Sequence, residues 1–122
     1  LYVQVFSQLA QDAELASIYS RGTKNEPLDE VETIRYGAFL NTYFAVFEDY
    51  VQQAEAEFGL SEFAGKTEEI FEFSAPFVRR VVQTNAGKVW WDTIAAYQYS
   101  PDFLQLVQKN ILDESTNQAV QD

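Results

Sequence analysis

Between Asp29 and Gly59 the chain reads DEVETIRYGAFLNTYFAVFEDYVQQAEAEFG, and apolar side chains return every third or fourth position: Tyr36, Phe39, Leu40, Tyr43, Phe47, Tyr50, Val51, Ala54 and Phe58. That spacing fits the 3.6-residue turn of an α-helix and lays one broad apolar stripe along it. Asp29, with Glu32 three residues on, has the form of a capping box, in which a side-chain oxygen takes up an amide that the first turn leaves without a partner. Gly59 is the expected stop, because glycine enters the left-handed conformation without steric cost. A helix over about residues 29–58 is about 45 Å long at the usual rise. Its aromatic rings can leave water only if other helices lie along it.

The flanking sequence supplies those helices. Tyr2, Val5, Phe6, Leu9, Ala13, Ala16 and Tyr19 keep helical phase over residues 2–21, opposite Gln8, Asp12 and Glu14, and Gly22 is the expected end. The stretch TKNEPL is a loop, since Asn25 is a turn residue and Pro27 biases Glu26 away from helix. Beyond Gly59, Ser61 can cap a helix whose apolar set is Phe63, Ile70, Phe71 and Phe73. Pro76 either kinks one helix over about 62–84 or separates two. Phe73, Phe77, Val81 and Thr84 hold helical spacing across it, which favours the kink over a β-strand at 77–83 built on Val78, Val81 and Val82. Asn85-Ala86-Gly87 reads as a break, followed by a helix through Trp90, Trp91, Ile94 and Tyr97. Ser100-Pro101-Asp102 is a start signal of capping hydroxyl, first-turn proline and acid, for a last helix through Leu112. The expectation is an all-α, antiparallel helical bundle of four to five helices: a single domain over 1–113, with a frayed C-terminal tail over 114–122.

Composition decides which functions such a bundle can have. Of 122 residues, 47% are hydrophobic and 16% aromatic, enough for a real core. Nineteen acids against 8 bases leave a charge of −11, and no basic run exceeds Arg79-Arg80. Phosphate backbones would be repelled, so nucleic acid is not an expected partner. The sequence has neither His nor Cys, which removes the usual general base, the thiol nucleophile and the common zinc sets. No calcium-loop spacing is present, and the acidic groups at Asp29–Glu32, Glu55/Glu57 and Glu68/Glu69/Glu72 read as solvated helix faces or partners of helix N-termini. No cofactor is expected.

Two positions carry more information. Glu48 and Arg35 lie beside the apolar stripe about 20 Å apart along one helix, so each needs a partner from elsewhere. Arg79 or Arg80 is the candidate for Glu48, as a buried ion pair that registers the bundle or as an anion pocket. The aromatic load of ten Phe, seven Tyr and two Trp exceeds what a small core needs. Tyr36, Tyr43, Tyr50, Trp90, Trp91 and Tyr97 are therefore candidate interface aromatics, for a protein partner or a homo-oligomer.

The order Phe44-x-x-Phe47-Glu48, Gly59-Leu60, Trp90-Trp91 and Tyr99-Ser100-Pro101-Asp102-Phe103 resembles a family of small uncharacterised bacterial proteins, in which one or two N-terminal transmembrane helices precede an all-helical soluble domain. The likeness covers roughly residues 15–112 and departs at Phe63, where such relatives carry tryptophan. It implies a membrane tether through a segment absent from this chain and no activity to carry over. The chain contains no Met and begins at Leu1, through trimming of the initiator or removal of a longer leader or anchor. The functional expectation is a non-catalytic helical interaction domain, the soluble part of a bacterial membrane-anchored protein. Its rivals are an acidic inhibitor, such as an immunity protein or nucleic-acid mimic, and a carboxylate enzyme using a divalent cation. Membrane association through the missing segment is the expected location, with the cytoplasm as the alternative.

Overall fold

A computed structural model describes residues 2–113; the tail expected at 114–122 lies outside the described residues. Among these, seven helices form an all-α domain, more than the four to five anticipated. They are α1 (Val3–Gln11), α2 (Ala13–Thr23), α3 (Glu30–Ala64), α4 (Thr67–Glu72), α5 (Ala75–Val82), α6 over 85–98 and α7 over 101–112.

The long helix α3 is the axis. Both halves of its capping box are made: Glu32 N–H donates to Asp29 Oδ1 at 2.8 Å, and Asp29 N–H donates to Glu32 Oε1 at 3.0 Å. Gly59 breaks it at φ 79, ψ 163, and one further turn carries the chain to Ala64. Tyr36, Phe39, Leu40, Tyr43, Phe44, Phe47, Val51 and Ala54 are all buried, so α3 is covered over much of its circumference. It touches α1, α2, α4 and α6, while α7 closes the domain by packing its last turn on α4 and α5.

The additional helices come from breaks that helical phase conceals. Asp12 leaves the helix at φ −129, ψ 99, and its side chain caps α2 by accepting from Leu15 N–H at 3.1 Å. The expected single helix over 2–21 is therefore two. Gly22 lies inside the last turns of α2 and does not end it. Pro76 sits in the first turn of α5, where its missing N–H costs nothing, so it separates α4 from α5 and does not kink a continuous helix. Thr84 starts α6 by accepting from Gly87 N–H at 3.0 Å, which makes a helix start of the stretch expected to be a break.

Two widened turns, Trp91–Ala95 in α6 and Gln108–Leu112 in α7, shift phase further along the chain. A π turn holds more residues than an α turn. In α6 it turns Ala95 inward five residues after Trp90, while Ile94 and Tyr97 stay 52% and 90% exposed. Those two were expected on the Trp90 line.

Candidate binding groove

The nine-residue helix α1 lies against α3, and the α4–α5 junction closes the other side. Between them runs an open groove of about 920 Å³. Helix α1 and its cap supply Tyr2, Val3 and Phe6, α3 supplies Tyr43 and Tyr50 seven residues apart, and the junction supplies Phe73, Ser74 and Phe77. Val3 is 78% exposed and Phe73 80%, with Phe6 and Tyr50 partly open beside them.

The walls are built from rings in contact. Tyr2 stacks on Tyr43 at 4.5 Å with planes 15° apart, and it lies nearly parallel to Phe73 at 6.2 Å. Phe77 meets Tyr43 at 4.1 Å, and Phe6 stands edge-on to Phe77 at 5.4 Å. Such contacts add roughly 0.5–1.5 kcal/mol per pair beyond buried area. The floor is polar but satisfied. Tyr43 OH donates to Ser74 Oγ at 2.9 Å, and Tyr2 OH lies 3.5 Å from the same oxygen. Burial pushes the Tyr43 and Tyr2 phenols above their ordinary range, so both are neutral at physiological pH. Among the described residues, Glu69 of α4 is the one carboxylate in the lining, and no Lys or Arg lines it. A second apolar hollow between α3 and α6, with Ile34, Val89 and Ile94 on its walls, is smaller at about 290 Å³.

The residues singled out from the sequence are distributed differently from what was expected. Glu48 Oε2 accepts from the backbone N–H of Ser100 at 2.8 Å, at the start of α7. Arg79 Nε–H donates to the carbonyl of Ile111 at 3.0 Å, at the end of α7. The two side chains bracket one helix, acid at its N-terminus and base at its C-terminus, on the order of 15 Å apart. They complement its dipole, and Glu48 and Arg79 are not partners of each other. Arg80 is exposed, on the side of Tyr19 and Tyr36. Arg35 finds its partners at the start of α2, Asp12 Oδ2 at 3.0 Å and Glu14 Oε1 at 2.8 Å. Arg21 pairs with Glu32 and ties α2 to α3 a second time.

Of the interface candidates, Tyr36, Tyr43 and Trp90 are buried and Trp91 is partly so. Those rings pack within the domain, Tyr43 also lining the groove, and Tyr50 and Tyr97 are the two that stand exposed. Sequence reading missed Tyr2, Val3, Phe6 and Phe73 as a surface. The Tyr2/Phe6 spacing of four was visible, but what lies opposite it was not.

Among the described residues no three acidic, His or Cys side chains converge as a metal-binding group. No family model matches the chain, and neither a curated protein nor a solved structure matches it. The resemblance to bacterial proteins with N-terminal transmembrane helices is thereby withdrawn: no comparison supports that family. The membrane-anchor expectation is left without support: among the described residues no helix is long and apolar enough to cross a membrane.

Proposed function

We propose that this chain is a non-catalytic helical interaction domain, and that the groove between α1, α3 and the α4–α5 junction is the face by which it holds an apolar segment of another protein. The observation that carries this is the exposure of Val3 and Phe73 beside a continuous ring-lined groove. Singly exposed apolar residues need no explanation, whereas a contiguous apolar concavity with few polar groups is the usual form of a binding site. Supporting the non-catalytic reading, the sequence offers no His or Cys. The Tyr43 and Tyr2 hydroxyls within the groove are already engaged with Ser74 Oγ.

A neutral apolar dye tests the face. It is expected to bind the wild-type protein and to bind Phe73→Ser and Val3→Ser at least several-fold more weakly, with thermal unfolding unchanged because both side chains are exposed. Equal dye binding by all three proteins would contradict the assignment. The rival carboxylate enzyme is tested separately by adding Mg²⁺, Mn²⁺ or Ca²⁺. A cation held only by the folded state must raise Tm, and the expected result is no shift.

A further inference from the structure

Resting on the groove as the binding face, we infer that its occupant is a cationic amphipathic helix of another protein, apolar side on the Tyr2, Phe6 and Phe73 rings and basic residues against the carboxylates of α4. The first argument is charge. Glu69 lines the groove, Glu68 and Glu72 stand exposed on the same short helix, and among the described residues no lysine or arginine shares the lining. An apolar surface with acid along one edge and no base is complementary to a segment carrying its positive charge beside its apolar stripe.

The second argument is the walls themselves. Aromatic faces carry negative quadrupole density, so the rings at the rim favour a Lys or Arg side chain and disfavour a carboxylate. The third is the floor. The Tyr43 and Tyr2 hydroxyls converge on Ser74 Oγ, so the deepest part of the groove calls for no polar ligand atom. The occupant is then apolar inward and charged only at the edge, which is the side-chain pattern of an amphipathic helix. A second copy of the chain is disfavoured by the same numbers, because each copy brings a charge of −11. An anionic lipid surface is disfavoured for the same reason.

The test uses the whole chain and synthetic Leu/Lys peptide of roughly 18 residues, long enough to be helical when bound. Its controls are a Leu/Glu peptide with the same apolar face and a Leu/Lys peptide of scrambled order. The Leu/Lys peptide is expected to bind at least about tenfold more tightly than either control, and more weakly as salt shortens the screening length. Phe73→Ser is expected to remove most of the binding, and Glu69→Gln with Glu72→Gln to narrow the Lys-over-Glu preference and flatten the salt dependence.

Equal binding of the Leu/Lys and Leu/Glu peptides would overturn the cationic partner while leaving the groove as a binding face. Equal binding of the ordered and scrambled Leu/Lys peptides would reduce the effect to attraction by net charge and overturn it too. Loss of dye binding with retained peptide binding would move the peptide off the groove. Concentration-dependent dimerisation abolished by Val3→Ser would assign the face to a second copy, and Phe73-dependent cosedimentation with neutral phosphatidylcholine vesicles would assign it to lipid; either result overturns the inference.

Discussion

Tyr43 and Phe44 are neighbours on α3, yet each is the centre of a different aromatic seam. Around Phe44 the rings of Trp90, Trp91 and Tyr99 lie 5.2 to 6.2 Å away, and Phe103 continues the seam through contacts with Phe47 and Tyr99. That seam is closed and pinned by polar contacts: the Tyr99 hydroxyl donates to Asn41 Oδ1, and Glu48 holds the Ser100 amide next to it. Around Tyr43 the rings are just as close, but the seam ends at Phe73 and Phe6 in open water. The same chemistry therefore does two jobs. Rings packed into the closed seam hold the domain together, and rings left with a free edge form the face proposed above for a partner.

Truncations separate the two jobs most sharply. Phe44→Ala is expected to cost about 3–5 kcal/mol by denaturant unfolding, whereas Phe73→Ala is expected to stay within about 0.5 kcal/mol of wild type. Comparable losses at both positions would erase the distinction. Gly37→Ala probes the closed seam by overfilling it. A methyl there would come 2.8 Å from Trp90 Cδ1, and the cost expected for forcing the indole aside is about 1–3 kcal/mol.

Removing hydroxyls gives a smaller and more discriminating contrast. Tyr43→Phe deletes a buried bond to Ser74 and is expected to cost about 1 kcal/mol. The Tyr36 hydroxyl is buried with no hydrogen-bond partner among the described residues. Thr84 beside it is engaged with Val81 and Gly87. Tyr36→Phe is therefore expected to be neutral or slightly stabilising, because it removes an unsatisfied polar group.

The smallest expected effect is a pH dependence far from both seams. The Arg21 side chain, then the Asp29 amide, holds the Glu32 carboxyl down from 4.5 to about 2. A carboxylate lowered in the folded state contributes stability that is full above its unfolded pKa and lost as pH falls through its folded one. The Tm difference between wild type and Glu32→Gln is expected to be constant near neutral pH and to shrink from about pH 4.5 towards 2. A difference unchanged over that interval would contradict the pairing.

How much of this could be read from residues alone follows from how local each signal is. The start of α3 was legible because Asp29 and Glu32 are three residues apart, and the start of α7 because Ser100 and Pro101 are adjacent. The breaks at Asp12 and after Phe73 were not legible. An aspartate on the polar side of a helix satisfies the periodicity whether or not it caps the next one, and Phe73 kept phase with Phe77 because Phe73 and Ser74 hold α-region dihedrals across the junction where α4 ends and α5 begins. Ile94 and Tyr97 were misplaced by one widened turn, which no apolar period reveals in advance. The groove was the least legible feature, since it joins residues 2–7 to residues 69–77 and exists only once α1 has turned back onto α3. The aromatic surplus announced a surface but could not choose its members. Three of the six candidates, Tyr36, Tyr43 and Trp90, are in the core.

The most direct test exploits the placement of both tryptophans in the closed seam. NMR titration of the labelled protein with the Leu/Lys peptide would follow the aromatic signals of Tyr2, Phe6 and Phe73 together with the two indole N–H signals. Large shifts of the groove rings are expected while Trp90 and Trp91 stay still. Shifted indoles beside unmoved groove rings would contradict the groove assignment.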